Sequence, residues 1–434
     1  MTKLSNNPTE LNELKALWQA REQSNSAWLN QLQKHAFDIF SSSGFPTTRM
    51  EDWKYTDTRN IATNYPQWLK TQPQTIAHTP ALLDIDNSIH LAFIDGHYSP
   101  KYSGTKQLPP GIIAGNLGDL ADCYPGLLQE KLGKLANNND SGFVAINTAF
   151  ACDGAALLLP DNQDLEQPIY LSFFSSTPEI TIQPRLLINL GVNSRATVLE
   201  HYSSNVAAIT NAVTEINCGK GSELTWYKLQ DEHIDAWHTA VQYAHLDQDA
   251  TIKTTQIDIG AGLARNELRL TLAGRGAHAE AKGLLMADAQ RHVDSRITVE
   301  HTAPETSSRE RYRSILADCA RGVFNGRILV QAEAQKTAAE LTNKNLLLNS
   351  GAEINTKPEL EIYADDVKCA HGSTTGQLDE TSMFYLISRG LNIDEARNIL
   401  IRAFAGELLT DISIEALRNR VQSALEELEH GHVK

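Results

Sequence analysis

The chain is short of most features that mark a membrane, nucleic-acid-binding or disulfide-stabilised protein. No apolar run is long enough to span a bilayer. No basic run is present, and the net charge of −15 argues against a nucleic-acid surface or an anionic membrane as partner. Cysteine is scarce: Cys123, Cys152, Cys218, Cys319 and Cys369 are dispersed over 434 residues and form no CxxC pair. An odd, scattered set argues for reduced thiols and against a zinc knuckle. The N-terminus, MTKLSNNPTELNELK, lacks the apolar core of a signal peptide, so a cytoplasmic protein is expected.

Catalytic signatures are also missing. There is no GxSxG elbow, and neither Gly260-Ala261-Gly262 nor Gly274-Arg275-Gly276 has the lysine and strand–loop–helix context of a phosphate loop. The histidines at 201, 233, 238, 245, 278, 292 and 301 show no HxxxH spacing and read as structural. A β-helical enzyme acting on a polysaccharide would need converging carboxylates. The obvious pair, Asp365-Asp366, is adjacent in sequence and points to opposite faces of a strand.

What is present is a long β-rich middle between helical ends. With 41% hydrophobic and 21% charged residues, the composition is that of a globular protein of two or three domains. Residues 1–80 read as an N-terminal helical domain. Trp28, Leu29, Leu32, Ala36, Phe37 and Phe40 share one helical face behind a Ser26 cap. The segment Thr48 to Thr56, TRMEDWKYT, reads as an aromatic anchor for that arm. Residues 81–154 form a mixed segment leading into the core. It holds a strand from Ile89 to Ile94 that ends in the hairpin dipeptide Asp95-Gly96, and a helical stretch from Leu117 to Leu135 broken at Pro125.

Residues 155–372 are nearly all short strands. Polar turns recur between them, at Asn193-Ser194, Lys220-Gly221, Gln248-Asp249 and Arg275-Gly276, with weaker echoes at Glu305, Lys336 and Asp366. Repetition at a near-constant period favours a β-solenoid over a β-sandwich. Residues 373–434 read as a C-terminal helical domain opened by Asp379 as an N-cap. One apolar stripe carries Ile393, Ala396, Ile399, Leu400 and Phe404, and a second carries Ile414, Leu417, Val421, Leu425 and Leu428. The two helices either cap the solenoid end or bind a partner.

The stretch Lys357 to Gly390 joins these parts. Alternation from Leu360 breaks at Asp365-Asp366 and resumes at Val367-Lys368-Cys369-Ala370-His371, which places Cys369 and His371 on one strand face. Thiolate and imidazole both suit iron, but two donors leave a coordination shell incomplete, so a site here would be shared with another chain. A packed thiol beside a surface imidazole is the plainer reading of the same residues.

KPELEIYADDVKCAHGSTTGQLDE from Lys357, together with FYLISRG from Phe384, resembles the SufB/SufD family of iron–sulfur cluster assembly proteins. Supporting matches are Trp53-Lys54-Tyr55-Thr56, LAFIDGHYSP from Leu91, FVAINTAF from Phe143, VLEHY from Val198, VFNGRILV from Val323 and LTNKNLLL from Leu341. The likeness covers nearly the whole chain, in order. The ADDVKCAHG corner and the WKYT segment fit the SufD branch better than SufB, which is the alternative.

The resemblance implies a mainly β protein, with a right-handed parallel β-helix between N- and C-terminal helical domains. It implies a non-catalytic scaffold that pairs with SufB through the β-helix end and docks the ATPase SufC through the C-terminal helices. Phe384, Ile399, Leu400 and Phe404 are the docking candidates. The family's interfacial Cys and His carry over to Cys369 and His371. No cofactor is expected to stay on the isolated chain. Iron or a transient cluster belongs to the complex, and reduced flavin is associated with that complex, although no residue here identifies a flavin site. An isolated chain with an uncovered β edge is expected to form a homodimer.

Overall fold

The computed structural model describes residues 8–430 apart from 22, 74–79, 81, 105–107 and 152, so Cys152 lies outside the described residues. The helices are α1 (Pro8–Ala20), α2 (Ala27–Ser43), α3 (Arg59–Trp68), α4 (Leu117–Cys123), α5 (Pro125–Gln129), α6 (Gly142–Phe150), α7 (Glu380–Ser388), α8 (Ile393–Leu409) and α9 (Glu415–His430). Between α6 and α7 the described chain is strand and turn alone.

Consecutive strands alternate between two sheets. Each strand pairs, parallel and in register, with the strand one coil earlier. This is a parallel β-solenoid, and the repeat reading holds. Six successive corners of one type use a left-handed residue: Asn193, Gly221, Asp249, Gly276, Glu305 and Lys336 have φ of 53°, 64°, 55°, 74°, 60° and 62°. Glycine or asparagine adopts that backbone readily. At Glu305 and Lys336 a ladder of turn bonds holds it instead. Glu305 N–H donates to Gln335 O at 2.9 Å, and Lys336 N–H donates to Asp366 O at 2.6 Å.

Side chains at alternate positions fill the lumen. One column runs Ala196, Leu224, Ile252, Ala279, Ser308, Ala339, Cys369. Its neighbour runs Val198, Trp226, Thr254, Ala281, Glu310, Leu341, His371.

The two ends of the solenoid differ. At the start, antiparallel strands blunt both sheets: His97–Tyr98 turns back on Ile89–Ile94, and Ile113–Asn116 pairs with Gly154–Leu159. At the finish, Glu353–Ile362 and Lys368–Gly376 are the last strands of their sheets and leave their outer edges unpaired. The last strand runs past Gly372 to Gly376.

The helical ends pack on the outer faces. The N-terminal arm is anchored as the aromatic reading expects. Trp53 is buried with the Arg265 guanidinium 3.8 Å from its ring centre, and Trp68 stacks on Trp237 at 5.1 Å. Thr56 donates to Asp294 at 2.6 Å, and Asp294 also pairs with Arg265. Ser26 precedes α2 but does not cap it. Its hydroxyl donates instead to Ala121 O and Asp122.

The C-terminal helices do not cap the solenoid end. Ile401, Ala405, Leu408, Leu417, Val421 and Leu425 pack against Leu229, Ile257, Leu284, Met286 and Ile315 on the outer face of the first sheet. Ion pairs hold the same seam. Arg420 makes two bonds to Asp231, at 2.5 and 2.8 Å, Lys282 reaches Asp411 at 2.5 Å, and Arg313 bonds both Phe404 O and Glu407. Much of the tail's apolar surface is therefore spent inside this chain.

Candidate functional site at the open end of the solenoid

The last two strands are formed by the alternating sequence on either side of Asp365-Asp366, and that pair sits at the corner as expected. Asp366 N–H donates to Gln335 Oε1 at 2.9 Å, which seats the corner on the coil below. Register then places Cys369 over Ala339, His371 over Leu341 and Ser373 over Asn343. Ala339, Leu341 and Asn343 are buried lumenal residues. Cys369, His371 and Ser373 continue the same columns, so the shared face expected from alternation is the lumenal face. No coil follows to cover them. Cys369 is half-buried and His371 exposed.

The environment of each differs. Ser373 joins a network with Thr356 and Asn343, with bonds of 3.1, 2.9 and 3.2 Å. His371 makes no side-chain hydrogen bond among the described residues, so neither ring nitrogen is committed. The Cys369 thiol is pushed above its ordinary range by burial and by the Glu310 carboxyl, while the Ala339 N–H acts in the opposite direction. Among the described residues, no three His, Cys, Asp or Glu side chains are grouped to hold a metal ion. The end presents a pair of soft and borderline donors rather than a closed shell.

Glu310 escaped the sequence reading. It lies in the His371 column two coils down, is fully buried, and neither carboxyl oxygen meets a partner in hydrogen-bond geometry. The Ser308 hydroxyl is its nearest helper, and burial pushes the acid up to about 8. Parity could have found it: Ser308, Glu310 and Tyr312 alternate with Arg309, Arg311 and Arg313, and Tyr312 is a core residue. Two of the histidines taken as structural are held inside the fold: His201 shares a 2.8 Å bond with Tyr170 OH, and buried His301 bridges Thr306 and Ser308 at 2.8 and 3.0 Å.

Asp379 caps α7 by accepting from Ser382 N–H at 2.7 Å, and Asn392 with Glu395 forms a full capping box on α8. The four docking candidates are not equivalent. Phe384 is 73% and Ile399 43% exposed, whereas Leu400 and Phe404 are half-buried. The Phe404 ring lies under Arg313 with 5.3 Å between ring centre and guanidinium. The predicted stripe on α8 is split, since Ala396 is buried and Ile393 is 64% exposed. The exposed large apolar side chains of α7 and α8 are instead Phe384, Tyr385 and Ile387 on α7 and Ile393 and Ile399 on α8.

Family comparison agrees with this architecture. Residues 173–404 match the model described as SUF system FeS cluster assembly, SufBD core domain, and residues 12–171 match the SufBD protein N-terminal region. The chain belongs to the SufBD family. An iron–sulfur cluster assembly SufBD family protein of Synechocystis is 32% identical over 96% of this chain and 94% of its own length. The iron–sulfur cluster assembly protein SufD of Escherichia coli is 30% identical over 90% of each chain. The SufD of Bacillus subtilis is 22% identical over 92% of this chain and 94% of its own. Full-length SufBD relatives that carry the SufD name bear out the resemblance read from the Lys357–Gly390 stretch. The function class is iron–sulfur cluster assembly. No helix among the described residues is long and apolar enough to cross a membrane.

Proposed function

We propose that this chain is the non-catalytic SufD-type scaffold of a cytoplasmic Suf complex, pairing with a SufB subunit through the open end of its solenoid. One observation carries the reading: Cys369 and His371 stand at lumenal positions of a coil that has no successor. A second β-solenoid seated on the unpaired edges would complete both sheets and bring its own donors to the same place. Two donors from each chain make one site, and disturbing the interface removes half of them. A nascent cluster, the cargo of the reaction, would be built and released there. Reduced flavin in that complex is part of the proposal, with no residue of this chain assigned to it.

The exposed apolar face of α7 and the first half of α8 is assigned to the ATPase partner, SufC. Hydrolysis belongs to that partner, whose movement would reach the solenoid through α8 and its Arg313 contacts. Alone, the chain would pair with a second copy through the same open edges. The test is co-expression with SufB and SufC, with iron and acid-labile sulfide counted per complex for the parent, Cys369→Ala and His371→Ala. Unchanged content in both variants, at equal stoichiometry, would leave a purely structural subunit.

A further inference from the structure

The two unpaired edges at the open end are built differently, and the difference starts in the backbone. A parallel ladder uses alternate residues of a strand, each giving its N–H and its C=O to the same neighbour. In the last strand of the second sheet, Glu353 N–H donates to Ala320 O at 3.0 Å, and just past its end Tyr363 N–H donates to Val330 O at 2.9 Å. The odd-numbered residues thus face the coil below, and Ile354, Thr356, Pro358, Leu360 and Ile362 turn their backbone to the open edge. In the last strand of the first sheet, Lys368 N–H donates to Thr337 O at 2.9 Å. There Cys369, His371, Ser373 and Thr375 turn outward.

The second edge is guarded. Pro358, at the centre of its row, has no N–H, and its ring stands where a partner strand would bond. The side chains beside it are charged and already matched. Lys357 lies 2.8 Å from Glu359 and 3.5 Å from Glu51 of the N-terminal arm, and Glu361 lies 2.8 Å from Arg327. Proline and charge are devices that keep a sheet edge from adding a strand. Beyond Lys368 the first edge has neither. Each of its outward residues carries an N–H, and the residues between them are Ala370, Gly372 and Thr374. A Cβ added at Gly372 or Gly376 would meet nothing within 4 Å, so another strand can approach closely.

We infer, on the interface proposed above, that the partner solenoid is joined through the first sheet: its terminal strand bonds along Cys369, His371, Ser373 and Thr375, and the second sheet is met by side-chain packing across Pro358. The added strand lies beside the residues whose side chains end the lumenal columns. Donors that complete a shell around Cys369 and His371 therefore come from that strand, at alternate positions.

Hydrogen exchange on the full-length chain, resolved to single amides with and without saturating SufB, reads both edges at once. The amides of His371, Ser373 and Thr375 should slow by about tenfold or more, and those of Thr356 and Leu360 by less than about threefold. Proline substitution supplies a second readout. Ser373→Pro removes an N–H that the fold itself does not use, and should weaken SufB binding about tenfold or more against Ser373→Ala. Thr356→Pro should stay within about threefold of Thr356→Ala. The alanine variants match the lost side-chain bonds to Asn343. If a proline variant does not fold, exchange on the parent decides. Equal slowing at both edges, slowing at the second edge alone, or a Thr356→Pro loss as large as that of Ser373→Pro overturns the inference. First-edge slowing that is present without SufB, fades on dilution and is not extended by SufB makes a second copy the occupant and overturns it too. A chain that binds SufB with neither edge slowed loses this edge and keeps its partner. A chain that does not bind SufB overturns the proposed interface and this assignment with it.

Discussion

His371 stands directly on Leu341 in parallel register, so an imidazole occupies a core position of a coil that nothing covers. The relationship explains why a polar, uncommitted ring can sit in a column that is otherwise Val198, Trp226, Thr254, Ala281, Glu310 and Leu341. Each earlier member is sealed by the next coil. Above the last one, no coil follows among the described residues.

Replacing His371 with alanine should therefore leave folding almost untouched. An exposed ring removes little packing, and the change in stability should stay within about 0.5 kcal/mol. Complexes carrying His371→Ala should assemble at normal stoichiometry and contain much less iron and acid-labile sulfide. Metal and sulfide analysis at matched subunit ratios makes the comparison, and equal contents would reduce His371 to a bystander.

The C-terminal assignment separates into two kinds of residue. Phe384→Asp and Ile399→Asp alter exposed positions and should weaken ATPase-subunit binding about tenfold or more, with the melting temperature held within a degree or two. Leu408→Ala opens the buried seam between α8 and the first sheet and should cost about 2–5 kcal/mol of stability. Cutting the chain after Gly390 is a poor test of docking, because it strips the cover from Leu229, Ile257, Leu284 and Ile315. Isothermal titration against the ATPase, alongside thermal melts, distinguishes the two classes. Full affinity in both aspartate variants would sink the assignment.

Glu310 should give a pH-dependent stability of defined sign. Its ordinary value is 4.5 and burial raises it to about 8, so the folded chain holds a proton that the unfolded chain has released. Stability is lost as pH rises from about 4.5 through about 8. Glu310→Gln keeps the neutral shape and removes that loss. Relative to the parent, the variant should gain about 1–3 kcal/mol between pH 5 and pH 8.5. Denaturant melts at the two pH values supply the numbers, and a constant difference would show that Glu310 is solvated.

The N-terminal arm should depend on Trp53. Its ring packs near Phe143, at 5.5 Å between centres, and against Arg265. Trp53→Ala should destabilise the arm by about 3–5 kcal/mol and leave Arg265 and Asp294 without their cover. Limited proteolysis should then cleave α1 to α3 before the strands are touched. A protease-resistant arm would mean that Trp68 on Trp237 is the stronger anchor.

Much of this was written locally. The solenoid is legible because each coil repeats the same demand on the backbone. A polar residue or glycine recurs at the left-handed corner, at Asn193, Gly221, Asp249 and Gly276, and apolar residues alternate between corners. The caps at Asp379 and Asn392 are equally local, since a side chain there reaches only its own first turn. The shared face of Cys369 and His371 followed from a period of two. Three things required the folded chain. Alternation says that two residues share a face but not which face, and only the register on Ala339 and Leu341 shows that it is the lumen. An apolar stripe says that a helix is covered but not by what, and only the packing of Leu408 and Leu417 on Leu229 and Ile257 shows that the tail lies along a sheet. Glu310 sits two coils from His371 and some sixty residues earlier in the chain. The two meet in one column because parallel stacking converts a distance of two repeats in sequence into two strand spacings, about 10 Å, in space.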